Sequence, residues 1–593
     1  MNSCFRYQLT RIACPILAAT LLGACSGPSP RPALPDAPAP QSVPQPAASQ
    51  APAAASEVPP PGPALPAAAS LATRIDAYVA QVRFRHARWG IEVVDLASGR
   101  TVYAHNAEKL FVPASNTKLY TAALALSELG PEARLTTSLL LVGGARSGST
   151  LKGDLVLRGG GDPSLGNAQV APGSVDWAAQ MAAALKQRGI TRIEGDLIGD
   201  ATRFRAPEFG GGWEADDLQA AYAPPASALT TAGNLMAVTV SRDGRRCCRI
   251  QVWPEVLQND VVDLTDRHAD NSAQPLLVYQ RPGQNEIQVH GDLPPQRSGQ
   301  RFVLAVGDPA RLAALQLRKA LADQGIIVQG RVRSQYWPRE GALRSGKPVT
   351  VIAQVESPPL RVLVRHMLKK SDNLFAQMLL LDVGEHFAHR ESCPDRATIP
   401  ATSEQWGLCA MRTMLGEIGI TPDQASFSEG SGLSRRNLVS PAATTQLLRW
   451  VQGQRFAAMY FDALPVAGMD GTLKHRFRDS LAAGKLHAKT GTLTHAYALA
   501  GYVTDANGRQ LAFALALDHY QRPRDAMGRT LPPSPRQELD AIAGMLAGDA
   551  QQPATGEPAA PASDPTCLSA RKTTAAQELP SPALFFSSTR SAR

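Results

Sequence analysis

Histidine is scarce in this chain, with 11 in 593 residues. The few present do not gather with carboxylates at ligand spacing. His386 and His389 stand as an isolated pair, so no metal site is expected, and no motif asks for a cofactor. Lys and Arg total 60 against 51 Asp and Glu, a net charge of +9, yet no basic run suggests nucleic acid. That modest excess suits an anionic partner and is equally the ordinary surface of an exported protein. Long apolar runs are also lacking at the N-terminus: Ile12 to Leu22 is about half the ~20 residues a spanning helix requires. With Arg6 and Arg11 before it and Gly23-Ala24-Cys25 after it, this stretch reads as a signal peptide over residues 1–24.

Three short strings are present, far apart: Ser115-Asn116-Thr117-Lys118, Ser371-Asp372-Asn373 and Lys489-Thr490-Gly491. Each is weak alone. In this order they form the S-x-x-K, S-D-N, K-T-G set of a serine acyl-transfer site that uses no histidine. The run Leu119 to Leu126 reads as a buried helix starting near the serine. On a helix, positions i and i+3 share a face, so Lys118 can lie beside the Ser115 hydroxyl. Lysine can act as the base when burial and a second cation lower its pKa. Lys489 supplies that cation, and its charge also suits a substrate carboxylate. Ser371 can relay a proton towards a leaving amine, and Asn373 can hold Lys118 and a substrate carbonyl. Leu486 to Leu493 reads as a strand, along which Thr490, Gly491 and Thr492 can line an extended peptide. The N–H groups of Ser115 and Thr492 are the expected oxyanion hole.

The surrounding sequence resembles the class C low-molecular-mass penicillin-binding proteins, which are D-alanyl-D-alanine carboxypeptidases and endopeptidases. The resemblance is carried by His105-Asn106-Ala107-Glu108, Val112 to Lys118, Gly153 to Leu157, Gly161 to Leu165, Gly195 to Asp200, Gly430 to Arg435, Leu464 to Leu473, Lys489 to Leu493 and Ala500 to Val503. It runs from about residue 72 to 548. It implies an α+β fold: a penicillin-binding/serine β-lactamase-like catalytic domain, an antiparallel sheet between helical layers, with a large β-rich insertion of two smaller domains. Two departures stand out. Gln377 takes the place of the family's usual Glu, and Glu429 that of its usual Asp. The implied partners are peptidoglycan peptides and β-lactam inhibitors. The implied diamino-acid subsite joins Asp162 to Arg435, a pair of opposite sign suited to a zwitterionic side chain. The plainer alternative is that Asp162 caps a turn before Pro163 and Arg435 makes a surface salt bridge.

The spacing from Ser115 to Ser371 exceeds what a compact β-lactamase needs. Catalytic segments are expected at 71–135 and 351–548, with accessory domains inserted at 136–350. Short strands (Ser138 to Val142, Asp154 to Leu157, Ala237 to Ser241) and two helical patches (Trp177 to Arg188, Pro309 to Gln324) fill the insertion. Helices over Pro359 to Lys370, Asn373 to Gly384 and Ala442 to Gln452 follow. A hairpin of Leu499 to Thr504 and Gln510 to Asp518 turns at Asn507-Gly508.

A small residue pair directly before cysteine resembles a bacterial lipoprotein processing site, with Cys25 lipidated. Ser26 after it points to the outer membrane and a periplasmic body; a plain signal peptide cleaved nearby is the alternative. Residues 25–70 are the tether: from Ser26 to Ser70 there are fourteen Pro and thirteen Ala in 45 residues, which cannot form a core. The tail 549–593 is read as disordered. Cys393 and Cys409 flank a loop after the second motif and are the expected disulfide in an oxidising compartment. Two other functions compete with a DD-peptidase. A β-lactamase needs a second base for fast deacylation, yet no Glu-x-x-x-Asn string lies between Asn373 and Lys489. A non-catalytic wall-binding lipoprotein has no reason to keep Ser115, Lys118, Ser371, Asn373 and Lys489 together.

Overall fold

The computed structural model describes residues 69–548, apart from 175, 206, 244–245, 266–274, 281–285, 294–296, 340–345, 389–392 and 394–400. The expectations for the signal peptide, Cys25, nearly all of the tether and the tail fall outside the described residues.

Five antiparallel strands form the central sheet, in the order Leu486–Leu493, Ala496–Thr504, Gln510–Asp518, Arg88–Asp95, Thr101–His105. Gln510–Asp518 is buried along nearly its whole length, as a central strand covered on both faces must be. Side chains alternate across it: Phe513 and Leu515 enter one core, Ala512 and Ala514 the other. The first core lies under the helices Leu71–Val79 and Pro535–Ala547, with Ile75, Tyr78, Ile542 and Leu546. The second holds the helices Thr117–Glu128, Leu360–Lys370, Asn373–Phe387, Ser403–Ile418 and Pro441–Gln452. Thr117–Glu128 is buried from Thr117 through Leu126. A helix that is apolar all round belongs inside, and this one carries the first motif into the centre of the body.

The chain leaves this body on the strand Thr136–Ser147 and returns on Val349–Glu356, which pairs antiparallel with it. The insertion sheet therefore extends six residues past the boundary at 350 read from sequence. The insertion forms two packed units, and both strands belong to the first. One is a seven-stranded mixed sheet with the helices Trp177–Gln187 and Pro309–Asp323 against it. The other is built on two three-stranded sheets around Val238, Val252, Ile287 and Val289. The fold is α+β, with a β-rich insertion of two smaller domains. Cys393 and Cys409 are joined by a disulfide, with their Cα atoms 5.8 Å apart. Among the described residues no helix is long and apolar enough to cross a membrane. Nor, among them, do three or more His, Cys, Asp or Glu stand together as metal ligands.

Candidate active site

The three strings meet. Ser115 sits in the single helical turn Ala114–Asn116 that leads into Thr117–Glu128. One turn on, Lys118 Nζ lies 3.0 Å from Ser115 Oγ, 2.5 Å from Asn373 Oδ1 and 2.5 Å from the Ser431 carbonyl. Asn373 opens the helix Asn373–Phe387, which Asp372 caps by accepting from Phe375 N at 3.2 Å. Ser371 closes the preceding helix in the left-handed conformation, φ 60°. A β-carbon is strained there, so the surrounding structure must hold it. In this conformation Ser371 Oγ meets Lys489, whose Nζ donates to it at 2.7 Å and to the Thr490 carbonyl at 2.8 Å.

Both lysines are fully buried. Burial pulls Lys118 down to about 8, against the opposing charges of Glu429 and Asp372. Lys489 is driven well below the usual lysine range, by burial first and then by the Lys118 charge. The two amines share one desolvated site, and a charged Lys118 disfavours the proton on Lys489.

Thr490 and Thr492 lie on the open side of the strand, and Thr490 Oγ1 meets Thr472 Oγ1 at 3.0 Å. Lys369 anchors the Thr472 segment, donating to the Leu464 carbonyl at 2.6 Å and to Asp470 at 2.6 Å and 2.8 Å. Gly491 has a steric reason: a β-carbon there would come within 2.5 Å of the Pro113 carbonyl. Only glycine lets the strand lie against the nucleophile segment.

Asp162 does not join the site. Its residue is 2% exposed, and its carboxylate accepts from Ser164 N at 2.8 Å and Ser164 Oγ at 2.6 Å. It caps the turn at Pro163, and burial raises it to about 6. The cause is the run Gly159-Gly160-Gly161, whose missing side chains let it pack onto the backbone of Thr136 and Ala228 and the carboxylate of Asp382. This is the plainer of the two roles the sequence left open, a cap on the turn before Pro163.

Arg435 is exposed on the rim beyond Thr492. It donates to Glu214 Oε1 at 3.1 Å and to the Thr494 carbonyl at 2.9 Å. The acids facing it come from a different stretch of the insertion, Glu214 to Asp217, a short turn closed by a capping box. Asp217 Oδ1 accepts from Tyr222 OH at 2.8 Å, and the Tyr222 carbonyl accepts from Asn373 Nδ2 at 2.8 Å. The insertion thus touches a residue of the second motif directly. The capping-box spacing of Glu214 and Asp217 was readable in the sequence; its place beside Asn373 was not. The two departures, Gln377 and Glu429, flank Gly430, whose N–H donates to Gln377 Oε1 at 2.9 Å.

The family model of the D-Ala-D-Ala carboxypeptidase 3 (S13) family matches residues 71–530. The chain belongs to this family. Within the S13 family it is 30% identical over 489 residues to the D-alanyl-D-alanine carboxypeptidase of Actinomadura sp. (strain R39), covering 80% of this chain and 84% of that one. It is 28% identical over 438 residues to the D-alanyl-D-alanine carboxypeptidase DacB of Haemophilus influenzae, covering 73% and 85%. The crystal structure of penicillin-binding protein 4 from H. influenzae superposes with a TM-score of 0.64 at 27% identity, over 78% of this chain and 96% of that one. That protein has also been solved with a β-lactam; the complex gives a TM-score of 0.61 at 26% identity.

Proposed function

We infer that this chain is a serine DD-peptidase of peptidoglycan, a D-Ala-D-Ala carboxypeptidase that also cuts D-Ala–diamino acid cross-links, acting through an acyl-enzyme on Ser115 and blocked by β-lactams. The observation that carries this reading is Lys118 Nζ at 3.0 Å from Ser115 Oγ in a fully buried site. A neutral lysine amine has two N–H donors and one lone pair. Asn373 Oδ1 and the Ser431 carbonyl take the donors, which leaves the lone pair for the Ser115 hydroxyl proton.

The peptide lies along Leu486–Leu493 as an added strand. Its terminal carboxylate meets Lys489, Thr490 and Thr492 and favours the protonated form of Lys489. That charge in turn favours the loss of the proton from Lys118. Lys118 then takes the Ser115 proton, and Oγ attacks the carbonyl carbon. The oxyanion is held by the N–H groups of Ser115 and Thr492. As the C–N bond breaks, Ser371 passes its proton to the departing amine and is resupplied by Lys489 Nζ, 2.7 Å away; water later adds to the acyl carbon, the acid leaves, and Ser115 regains its proton from Lys118. A β-lactam acylates Ser115 in the same way, but its amine stays tethered.

Slow deacylation separates this reading from a β-lactamase. Glu429, the buried acid felt by Lys118, has its oxygens occupied by five donors and is not free to activate water. For the diamino acid we propose Arg435 with the Glu214–Asp217 turn as the zwitterion-binding rim. The Arg435–Glu214 pair is exposed on both sides. Such pairs contribute only about 0–1 kcal/mol, so a substrate carboxylate can replace Glu214 at little cost. The periplasmic location, with Cys25 lipidated and residues 25–70 as tether, is proposed on the N-terminal sequence pattern.

Mass spectrometry after brief exposure to a penicillin tests the function. One adduct on the Ser115 peptide, persisting for many minutes, is expected, and Ser115→Ala should lose both the adduct and peptidase activity. Labelling that survives in the alanine variant overturns the assignment.

A further inference from the structure

Behind Lys118 lies a carboxylate that the reaction leaves without a task. Glu429 is fully buried. Its Oε2 accepts from Trp213 Nε1 at 3.2 Å, Ser431 N at 2.7 Å and Ser431 Oγ at 2.5 Å. Its Oε1 accepts from Gly432 N at 2.6 Å and Asn437 Nδ2 at 2.8 Å. A side-chain acceptor that gathers two consecutive backbone N–H groups closes the chain into a tight turn. The other edge of this turn is pinned by Gly430 N on Gln377 Oε1, and Gln377 Nε2 donates onward to Glu404 Oε1 at 2.7 Å. A β-carbon on Gly432, at φ 87°, would come within 1.9 Å of the Ala114 carbonyl, so the turn presses directly on the nucleophile segment. Its outward product is the Ser431 carbonyl, 2.5 Å from Lys118 Nζ.

We propose that Glu429 is a positioning residue for the reaction: its carboxylate fixes the Gly430–Gly432 turn so that the Ser431 carbonyl aims the Lys118 lone pair at Ser115. This rests on Lys118 being the base. Without the Ser431 carbonyl, one Lys118 N–H has no fixed acceptor and the amine can rotate. The charge of Glu429 also acts on the lysine, together with Asp372, both favouring its protonated form against burial. Glu404 lies on the far side of Gln377 and feels Glu429 as a like charge. Glu429 makes no contact with the nucleophile. It therefore acts through Lys118, with an electrostatic signature that a purely structural residue lacks.

The test is the pH dependence of the acylation rate with a fluorescent penicillin, for wild type, Glu429→Gln and Glu429→Asp, with thermal melts alongside. Loss of the negative charge makes Lys118 easier to deprotonate. In Glu429→Gln the acid limb should therefore move to lower pH, by roughly one unit. The plateau rate should fall about ten-fold, part of the roughly 10²–10⁴ that a placed base supplies. Glu429→Asp keeps the charge but shortens the reach, so its limb should stay in place while its plateau falls about five-fold. A folded Glu429→Gln with its limb at the wild-type pH overturns the proposal. If Glu429→Gln does not fold, Glu429→Asp decides: a wild-type plateau overturns the proposal, and a reduced plateau at an unmoved limb supports it. A wild-type profile with no acid limb between about pH 6 and about 9 instead overturns the reading of Lys118 as base.

Discussion

Replacing Lys118 by arginine keeps the positive charge and removes the base. With burial holding its pKa at about 8, Lys118 is neutral about a fifth of the time at pH ~7.4. A guanidinium with pKa above ~12 is neutral only about two or three times in 10⁵ at that pH. If the neutral form does the work, acylation of Lys118→Arg should fall by about four orders of magnitude, before any steric effect in a fully buried site. Lys489→Arg should lose far less, because its task is to pair with a carboxylate and arginine does that well. The assay is the second-order acylation rate with a fluorescent penicillin, followed from about pH 6 to about 9.5. The wild-type rate should climb as pH rises through the Lys118 value and then level off, because the proton must leave before Ser115 can be activated. Acylation by Lys118→Arg within ten-fold of wild type, or equal losses in the two arginine variants, refutes the division of labour.

Asp217→Asn should slow cleavage of peptides that carry a free side-chain ammonium, by about ten-fold, while penicillin acylation stays nearly unchanged; parallel loss of both would make Asp217 a support for Tyr222 instead. Cys25→Ser should release active protein into the soluble periplasmic fraction or block processing, read by fractionation; a variant still membrane-bound after normal signal cleavage places the anchor elsewhere.

Most of the catalytic body was legible because its signals are local. The strand Leu486–Leu493 and the hairpin at Asn507-Gly508 follow from strand patterning and turn chemistry. The helices at Leu360–Lys370 and Asn373–Phe387 follow from apolar runs ended at Ser371-Asp372. The helix Ser403–Ile418 went unread although Thr402 and Gln405 form a capping box at its start, a spacing visible in any sequence. For Asp162 the sequence left two roles open, ligand or turn cap, for a different reason. Its neighbours in sequence are glycine, proline and serine, the composition of an exposed loop. What decides its role is the packing of Gly159 to Gly161 against residues far along the chain. The acidic turn at Glu214–Asp217 stayed hidden likewise, because the contact that brings it to the site is a backbone carbonyl, that of Tyr222. Side-chain type says nothing about such a contact.

That contact belongs to a longer interface, which bears on why the insertion is there. The stretch from Arg203 to Tyr222 touches the helix Asn373–Phe387, which the second motif opens, and its neighbour Ser403–Ile418. Arg203 pairs with Asp382 at 3.1 Å and Arg205 with Glu385 at 3.3 Å. Ser403 Oγ accepts from Arg205 N, Glu404 from Gly211 N and Glu429 from Trp213 Nε1. Asp382, Glu385, Glu404 and Glu429 are all largely buried, and burial lifts Asp382 and Glu404 to about 7. Leaving a buried acceptor without its donor costs about 1–3 kcal/mol, because the group has lost water and gained no partner. A catalytic body without this stretch would strip donors from four acids at once, and Asn373 would lose the acceptor for its amide. The insertion is therefore not an appendage that merely narrows the entrance. It completes the hydrogen bonding of the helix that opens at Asn373 and of its neighbour Ser403–Ile418, and through Trp213 and Glu429 it reaches the turn whose carbonyl steadies Lys118. Substrate choice at the rim and placement of the base in the centre depend on one continuous segment of chain.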